Sequence, residues 1–259
     1  MSRIDAAFDA ARAENRAALV GYLTAGYPDD ERFLEAALSV LEHADMLEIG
    51  LPFSDPLGDG PTVQRSGEAA LARGVDGART IELVGVLAKR TEKPLLVMSY
   101  YNPIYCYPGG ETAFVGDLVA AGGAGVILPD LPPDEGEELV SAAREAGLDT
   151  VFLVAPTSTD ERLRLVTAAS RGFVYAVSVT GVTGARASVS DEVGELVSRT
   201  RAAGGRNVAV GFGVSNRETA ATVARVADGV VVGSALITAL STGVDIGEFA
   251  RELASGCRR

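Results

Sequence analysis

Two carboxylates in the stretch "EIGLPFSDPLGDGPTVQ" have the types and spacing to handle protons. Glu48 sits inside the apolar run Met46-Leu47-Glu48-Ile49-Gly50-Leu51, which has the length of a buried strand. Burial disfavours the charged form of a carboxyl, so its pKa rises and it can donate or accept a proton near neutral pH. The plainer alternative is a salt-bridged interior residue. Asp59 follows in the turn-rich loop "SDPLGDGP". An Asp-Gly turn needs no function, so Asp59 is informative mainly through its partner. One acid fixed on a strand end and another on the loop behind it suit two proton-handling groups on opposite sides of a small substrate. Asp55, before Pro56, reads as a turn or capping residue.

A second group of residues suits an anion. "GFGVSN", Gly211 to Asn216, and "VGSALI", Gly233 to Ile237, each pass from a strand to a helix through small residues. Backbone N–H groups at such turns, and the helix N-termini that follow, favour negative charge. Ordinary strand-to-helix turns with the same composition are the alternative. The segment "SVTGVTGARA", Ser178 to Ala187, has no periodicity and reads as a flexible loop, a candidate lid. Tyr175 lies on the apolar run before it and points into a core or toward a pocket. The single histidine, His43, belongs to a helical stretch and has no acidic or cysteine pattern around it.

The elements that must position these residues follow from periodicity. Eight apolar runs of strand length occur: "ALVGYLT", "DMLEIG", "PLLVMSY", "AGVILPD", "DTVFLVA", "GFVYAVS", "NVAVGFG" and "DGVVVGS". Between them lie segments with a 3.6-residue period, such as "ERFLEAALSVLEHA" and "GEELVSAAREAG". Gly147 and Gly204 close two of these helices. The alternation predicts an α/β fold, a single (β/α)8 barrel over residues 1–259. An extra N-terminal helix, "SRIDAAFDAARAEN", precedes it, and a short extra helix, "GSALITAL", follows strand eight. A doubly wound open sheet is the competing architecture, but "TAGYPDD" after the first strand lacks the Gly-x-Gly-x-x-Gly turn. In a barrel the active site sits at the C-terminal strand ends. Those ends carry Thr24, Glu48, Tyr100, Asp130, Pro156, Ser178, Gly213 and Ser234.

Composition narrows the partners. The chain of 259 residues has a formal net charge of −12, which disfavours nucleic acid and anionic membranes. No signal segment and no long apolar run is read, so a cytoplasmic protein is expected. Cys106 and Cys257 do not make a disulfide framework and are expected as free thiols. One histidine excludes a metal site built on several histidines. The only lysines, Lys89 and Lys93, lie in a helix and just before a strand, where no Schiff base would form.

Taken in order, "GYLTAGYP", "LEIGLPFSDPLGDGPTVQ", "MSYYNPI", "GVILPDLP", "SVTGVTG", "GFGVS" and "VVGSAL" resemble the signature segments of the tryptophan synthase alpha subunit family, over nearly the whole chain. The resemblance implies a (β/α)8 barrel that cleaves indole-3-glycerol phosphate into indole and glyceraldehyde 3-phosphate. It implies that Glu48 protonates the indole ring at the carbon bearing the glycerol chain and helps the glycerol hydroxyl lose its proton. Asp59 would interact with the indole N–H and stabilise the protonated ring. Thr183 would be the lid residue that meets Asp59 on closure, and Tyr175 would stand beside the site. Gly184, Gly213, Gly233 and Ser234 would hold phosphate. Tyr22, Tyr100, Ile127 and Phe212 would line the indole pocket, with Tyr22 departing from a familiar phenylalanine. The resemblance further implies no cofactor in this chain and a beta-subunit partner using pyridoxal phosphate, in an alpha2-beta2 heterotetramer. A lyase working alone, or a silent allosteric barrel, are the competing functions.

Overall fold

The computed structural model describes residues 1–177, 186–211 and 213–259, with 186–191 as helical backbone only. The chain begins with α1 (Arg3–Ala13), whose N-terminus is closed by a reciprocal Ser2–Asp5 capping box. Strands β1 (Ala18–Thr24), β2 (Met46–Gly50), β3 (Leu95–Met98) and β4 (Gly125–Leu128) follow. Then come β5 (Asp149–Val154), β6 (Val174–Val177), β7 (Val208–Gly211) and β8 (Gly229–Val232). Every neighbouring pair is parallel, and β1 pairs with β8, so the sheet closes into a barrel in sequence order. The expected architecture is therefore the one present.

Helices cross outside between strands. α2 (Asp30–His43) joins β1 to β2; α3 (Pro61–Leu71) and α4 (Gly77–Ala88) join β2 to β3. The β3–β4 connection holds a short α5 (Tyr101–Tyr105) and α6 (Gly110–Ala120). α7 (Glu137–Ala146), α8 (Asp160–Ala169), α9 (Arg186–Ala202) and α10 (Arg217–Ala224) follow in turn. After β8 come the expected short helix, α11 (Ser234–Thr242), and α12 (Ile246–Gly256). The two lysines cap rather than react. Lys89 is the C-cap of α4, and the Lys93 ammonium donates to the carbonyls of Leu41 and Ala44 at the end of α2.

Burial divides into two apolar shells. The larger lies between strands and helices. The smaller fills the barrel and joins Ala18, Val20, Met46, Leu96, Ile127, Val151, Phe173, Tyr175, Ala209 and Val231 to Ile4, Phe8 and Ala11 of α1. The extra N-terminal helix is thus a plug. Phe8 packs on Phe173 with ring centroids 5.6 Å apart. Small residues make room for it: a Cβ at Gly229 would lie 2.9 Å from the Phe8 ring, and one at Gly125 would lie 3.0 Å from Ile4. α1 closes the N-terminal end of the barrel interior.

Two tyrosines approach the C-terminal mouth by leaning across a neighbouring strand. A Cβ at Gly50 on β2 would overlap the Tyr22 hydroxyl from β1, and one at Gly211 on β7 would overlap the Tyr175 hydroxyl from β6. Both glycines are demanded by a close approach, not by backbone freedom. Gly50→Ala should therefore cost about 1–3 kcal/mol, as overpacking of a filled interior does. In a Tyr22→Ala background the same substitution should cost far less. A urea-denaturation double-mutant cycle measures the coupling, and additive costs would show that the slot is not what Gly50 provides.

Candidate active site

Glu48 is the third residue of β2, paired in register with Tyr22 on one side and Leu96 on the other. It shares a face with Met46, because strand side chains alternate, and so belongs to the barrel interior. The residue is fully buried, and neither carboxyl oxygen has a hydrogen-bond partner among the described residues. Burial alone pushes its pKa up to about 8. The salt-bridged alternative fails: among the described residues no cation lies within ion-pairing distance of Glu48.

Asp59 is half-buried in the loop after β2. Burial raises its pKa to about 6, and the Tyr100 hydroxyl opposes part of that rise. The loop is held by short ties. Its Gly58 N–H donates to the Tyr100 hydroxyl (2.8 Å), and the Gln64 amide donates to the Asp59 carbonyl (2.8 Å). Tyr100 in turn stacks on Phe53, with centroids 5.5 Å apart. Asp55 keeps to the turn: its carbonyl accepts from the Leu57 N–H, and it caps no helix, since the N-cap of α3 is Gly60.

The interior residues named from sequence converge. Tyr22, Tyr100 and Tyr175 are all buried, and their hydroxyl pKa values are raised first by burial and then by nearby carboxylates, Asp59 for all three. Ile127 is wholly buried within the barrel shell that contains Tyr175. Two carboxyls with separated pKa values thus lie among three buried tyrosines. That pairing can run acid and base steps together near pH 7.

The anion-binding candidates lie on adjacent units. Gly211 on β7 pairs with Val231 on β8, and Gly213 and Gly233 each follow two residues beyond that pair. Gly213 has φ +65°, and a Cβ there would meet nothing within 4 Å, which leaves its backbone open to a ligand. The two helix starts differ. α10 is closed by its own Asn216–Thr219 capping box, whereas α11 starts at Gly233 and Ser234 without a side-chain cap and without an acid in its first turn. Its first amides are therefore the free donors. Gly233 also packs beside the Tyr22 ring, 3.4 Å from where a Cβ would stand. Thr183, Gly184 and Phe212, with residues 178–185 of the candidate lid Ser178 to Ala187, lie outside the described residues, and its last two residues, Arg186 and Ala187, open α9 rather than continue a loop.

Sequence reasoning missed Phe53, the stacking partner of Tyr100, and the role of Gly50 as the Tyr22 slot. It also missed the buried hydroxyls of Thr24 and Ser66, whose oxygens are 2.6 Å apart. The only available signal was their place on either side of the Glu48–Asp59 segment.

Comparisons with known proteins agree on one family. The family model described as tryptophan synthase alpha chain matches residues 8–255. The tryptophan synthase alpha chain of Deinococcus radiodurans is 52% identical over 260 residues, spanning 100% of this chain and 96% of its own. That of Mycobacterium marinum is 50% identical over the same shares. A solved structure of Mycobacterium tuberculosis tryptophan synthase superposes with a TM-score of 0.92 at 48% identity, covering 100% of this chain and 99% of the other. The tryptophan synthase subunit alpha of Legionella pneumophila does so with a TM-score of 0.88 at 34% identity, covering 100% and 97%. With its eight-stranded barrel, plugged base and paired carboxyls at the mouth, the chain belongs to the tryptophan synthase alpha chain family.

Proposed function

We infer that this chain cleaves indole-3-glycerol phosphate to indole and glyceraldehyde 3-phosphate, as the alpha subunit of a tryptophan synthase. The observation that carries the reading is the buried Glu48 carboxyl within β2, without a hydrogen-bond partner among the described residues, and Asp59 on the loop that follows. In the proposed sequence the neutral Glu48 carboxyl gives its proton to the indole carbon that bears the glycerol chain. The ring nitrogen becomes cationic, and the Asp59 carboxylate accepts a hydrogen bond from its N–H. The carbon–carbon bond then breaks, its electrons return to the ring, and the adjacent hydroxyl loses its proton to Glu48 as the aldehyde forms. The protonated ring is the electron sink, so the proposal needs no cofactor in this chain. Tyr22, Tyr100, Ile127, Tyr175 and Phe212 are assigned to the indole pocket. Gly184, Gly213, Gly233 and Ser234 are assigned to the phosphate, and Thr183 to the lid contact with Asp59.

The assembly is part of the proposal. The loop after β2 contains Pro52, Pro56 and Pro61, and Leu57 at its tip is 95% exposed. Prolines lower the entropy lost when such a loop is immobilised, and an apolar tip supplies area to bury. We assign this loop to contact with a beta subunit that uses pyridoxal phosphate, in an alpha2-beta2 assembly. No helix of the described residues is long and apolar enough to cross a membrane, which fits the cytoplasmic enzyme we propose, a single barrel domain over 1–259. Indole release measured with and without a beta subunit separates this reading from a lyase that works alone, and absence of release in both would leave only a silent barrel.

The two carboxyls set the pH dependence. Activity needs Asp59 ionised and Glu48 protonated, so kcat/KM should rise through about pH 6 and fall above about pH 8. Asp59→Asn should erase the acidic limb and lower kcat more than substrate affinity, while Glu48→Gln should lower kcat by roughly 10²-fold or more. A flat profile, or near-normal turnover in either variant, refutes the mechanism.

The same burial predicts a stability effect. Glu48 titrates near 4.5 in a free chain and near 8 in the fold, so the folded state binds the extra proton between those values. Its contribution is complete below pH 4.5 and is lost as pH rises through about 8, by at most about 4–5 kcal/mol. The melting temperature of Glu48→Gln should gain on the parent between pH 5 and pH 9. An unchanged difference would mean that Glu48 is not held neutral.

Gly213→Val tests the phosphate assignment. It should raise KM by tenfold or more through the blocked amide approach, as loss of about 1.4 kcal/mol of binding requires. An unchanged KM places the phosphate elsewhere.

A further inference from the structure

Glu48 is fixed by its strand, but Asp59 hangs on a loop, and something must hold the second carboxyl in place relative to the first. The loop ends at Gly60, and α3 begins at the next residue, Pro61, with no side-chain cap at its start. Asp59 is therefore tied to α3 on one side, as it is to Tyr100 on the other. That helix packs against β1 on one side and against α11, the candidate phosphate helix, on the other.

The tie between α3 and β1 is polar. Thr24 is 2% exposed and Ser66 1%, and their hydroxyl oxygens lie 2.6 Å apart. Ser66 spends its proton on the Val63 carbonyl (2.7 Å), so Thr24 is the donor in the pair. Among the described residues this is the one side chain–side chain hydrogen bond with both partners fully buried. Replacing both members of such a pair by apolar groups of similar shape is close to neutral for stability. Its distinct property is geometric: a hydrogen bond fixes one distance and direction, where an apolar contact tolerates sliding. Thr24 also pairs in register with Gly50, two residues beyond Glu48, and it shares the interior face of β1 with Tyr22. A short path thus runs from Glu48 through β2 and β1 to Thr24, across to Ser66, and along the first turn of α3 to Asp59.

We propose that Thr24 and Ser66 form a positioning clasp that sets the Asp59 carboxyl relative to Glu48 through helix α3. The proposal rests on the assignment of Glu48 and Asp59 as the reacting pair. In this role both hydroxyls act through the helix; Thr24 also interacts with the Tyr22 hydroxyl, so Ser66→Ala is the variant that cuts the clasp alone.

The test uses the full-length chain as Ser66→Ala, Thr24→Val, Thr24→Ser and the Thr24→Val/Ser66→Ala double variant. Each is assayed for indole release from indole-3-glycerol phosphate and for thermal stability. Ser66→Ala and Thr24→Val should each lose about tenfold in kcat, since a small misplacement of a reacting group carries that cost. KM should stay within about twofold, because the phosphate site is untouched. Thr24→Ser, which keeps the hydroxyl, should stay near the parent. The double variant should be as slow as either single one, because both cut one link, while its melting temperature recovers. Unchanged kcat in either single variant overturns the clasp. So does a kcat that follows melting temperature across the set, with the double variant regaining both, since that is a structural role alone. If the parent itself releases no indole, the functional reading fails, and amide exchange over residues 57–64 decides the clasp. Faster exchange there in Ser66→Ala, with the strands unchanged, supports it, and equal exchange overturns it.

Discussion

A carboxyl group buried among aliphatic side chains without a cation or a donor is stable only while it keeps its proton. Among the described residues Glu48 has neither partner, though Tyr22 and Tyr175 stand near it, and much of the surrounding structure follows from it. The barrel interior must stay dry enough to hold the group neutral. α1 provides this from below by driving Ile4 and Phe8 into the base, where Gly125 and Gly229 leave them room. From the sides, Tyr22 and Tyr175 close over Gly50 and Gly211. The low polarity that raises the pKa of Glu48 also strengthens any hydrogen bond that Asp59 makes to a developing cation.

The second carboxyl solves a different problem. Asp59 must be close enough to act and yet keep a lower pKa than Glu48, so that one is an acid while the other is a base. Half-burial and the Tyr100 hydroxyl accomplish this. The loop that carries it is held at its tip by Tyr100, at its end by Gln64, and at its root by helix α3. The helix packs onward against α11, whose uncapped start is the candidate anion site. The proposed acid, base and anion site are therefore mounted on neighbouring, mutually packed pieces of the mouth, although they come from distant parts of the chain.

Much of this was legible in the sequence. Eight apolar runs separated by amphipathic segments specify a parallel barrel, because strands buried on both faces read as continuous apolar stretches. Glu48 was visible as the one acid inside such a run rather than at its end, and Asp59 as the acid in the turn behind it. The glycine turns after strands seven and eight were visible by composition. What composition could not say is that they differ: Asn216 caps its own helix, while α11 is left open. Nor could it say that the N-terminal helix is a plug, since an amphipathic helix carries the same pattern wherever its apolar face is buried.

The sequence by itself determined the order of elements, and it singled out the barrel end and the two carboxyls to which the chemistry is proposed to belong. These depend on periodicity and residue type, which are local. Tertiary structure alone decided that Glu48 has no partner among the described residues and that Tyr22 needs Gly50. It alone brought Phe53 onto Tyr100, and Thr24 to within hydrogen-bonding distance of Ser66 on a different element. Each of those facts is a distance between residues that no period in the chain relates. Such distances arise only when the sheet closes and its shear sets which side chains share a layer.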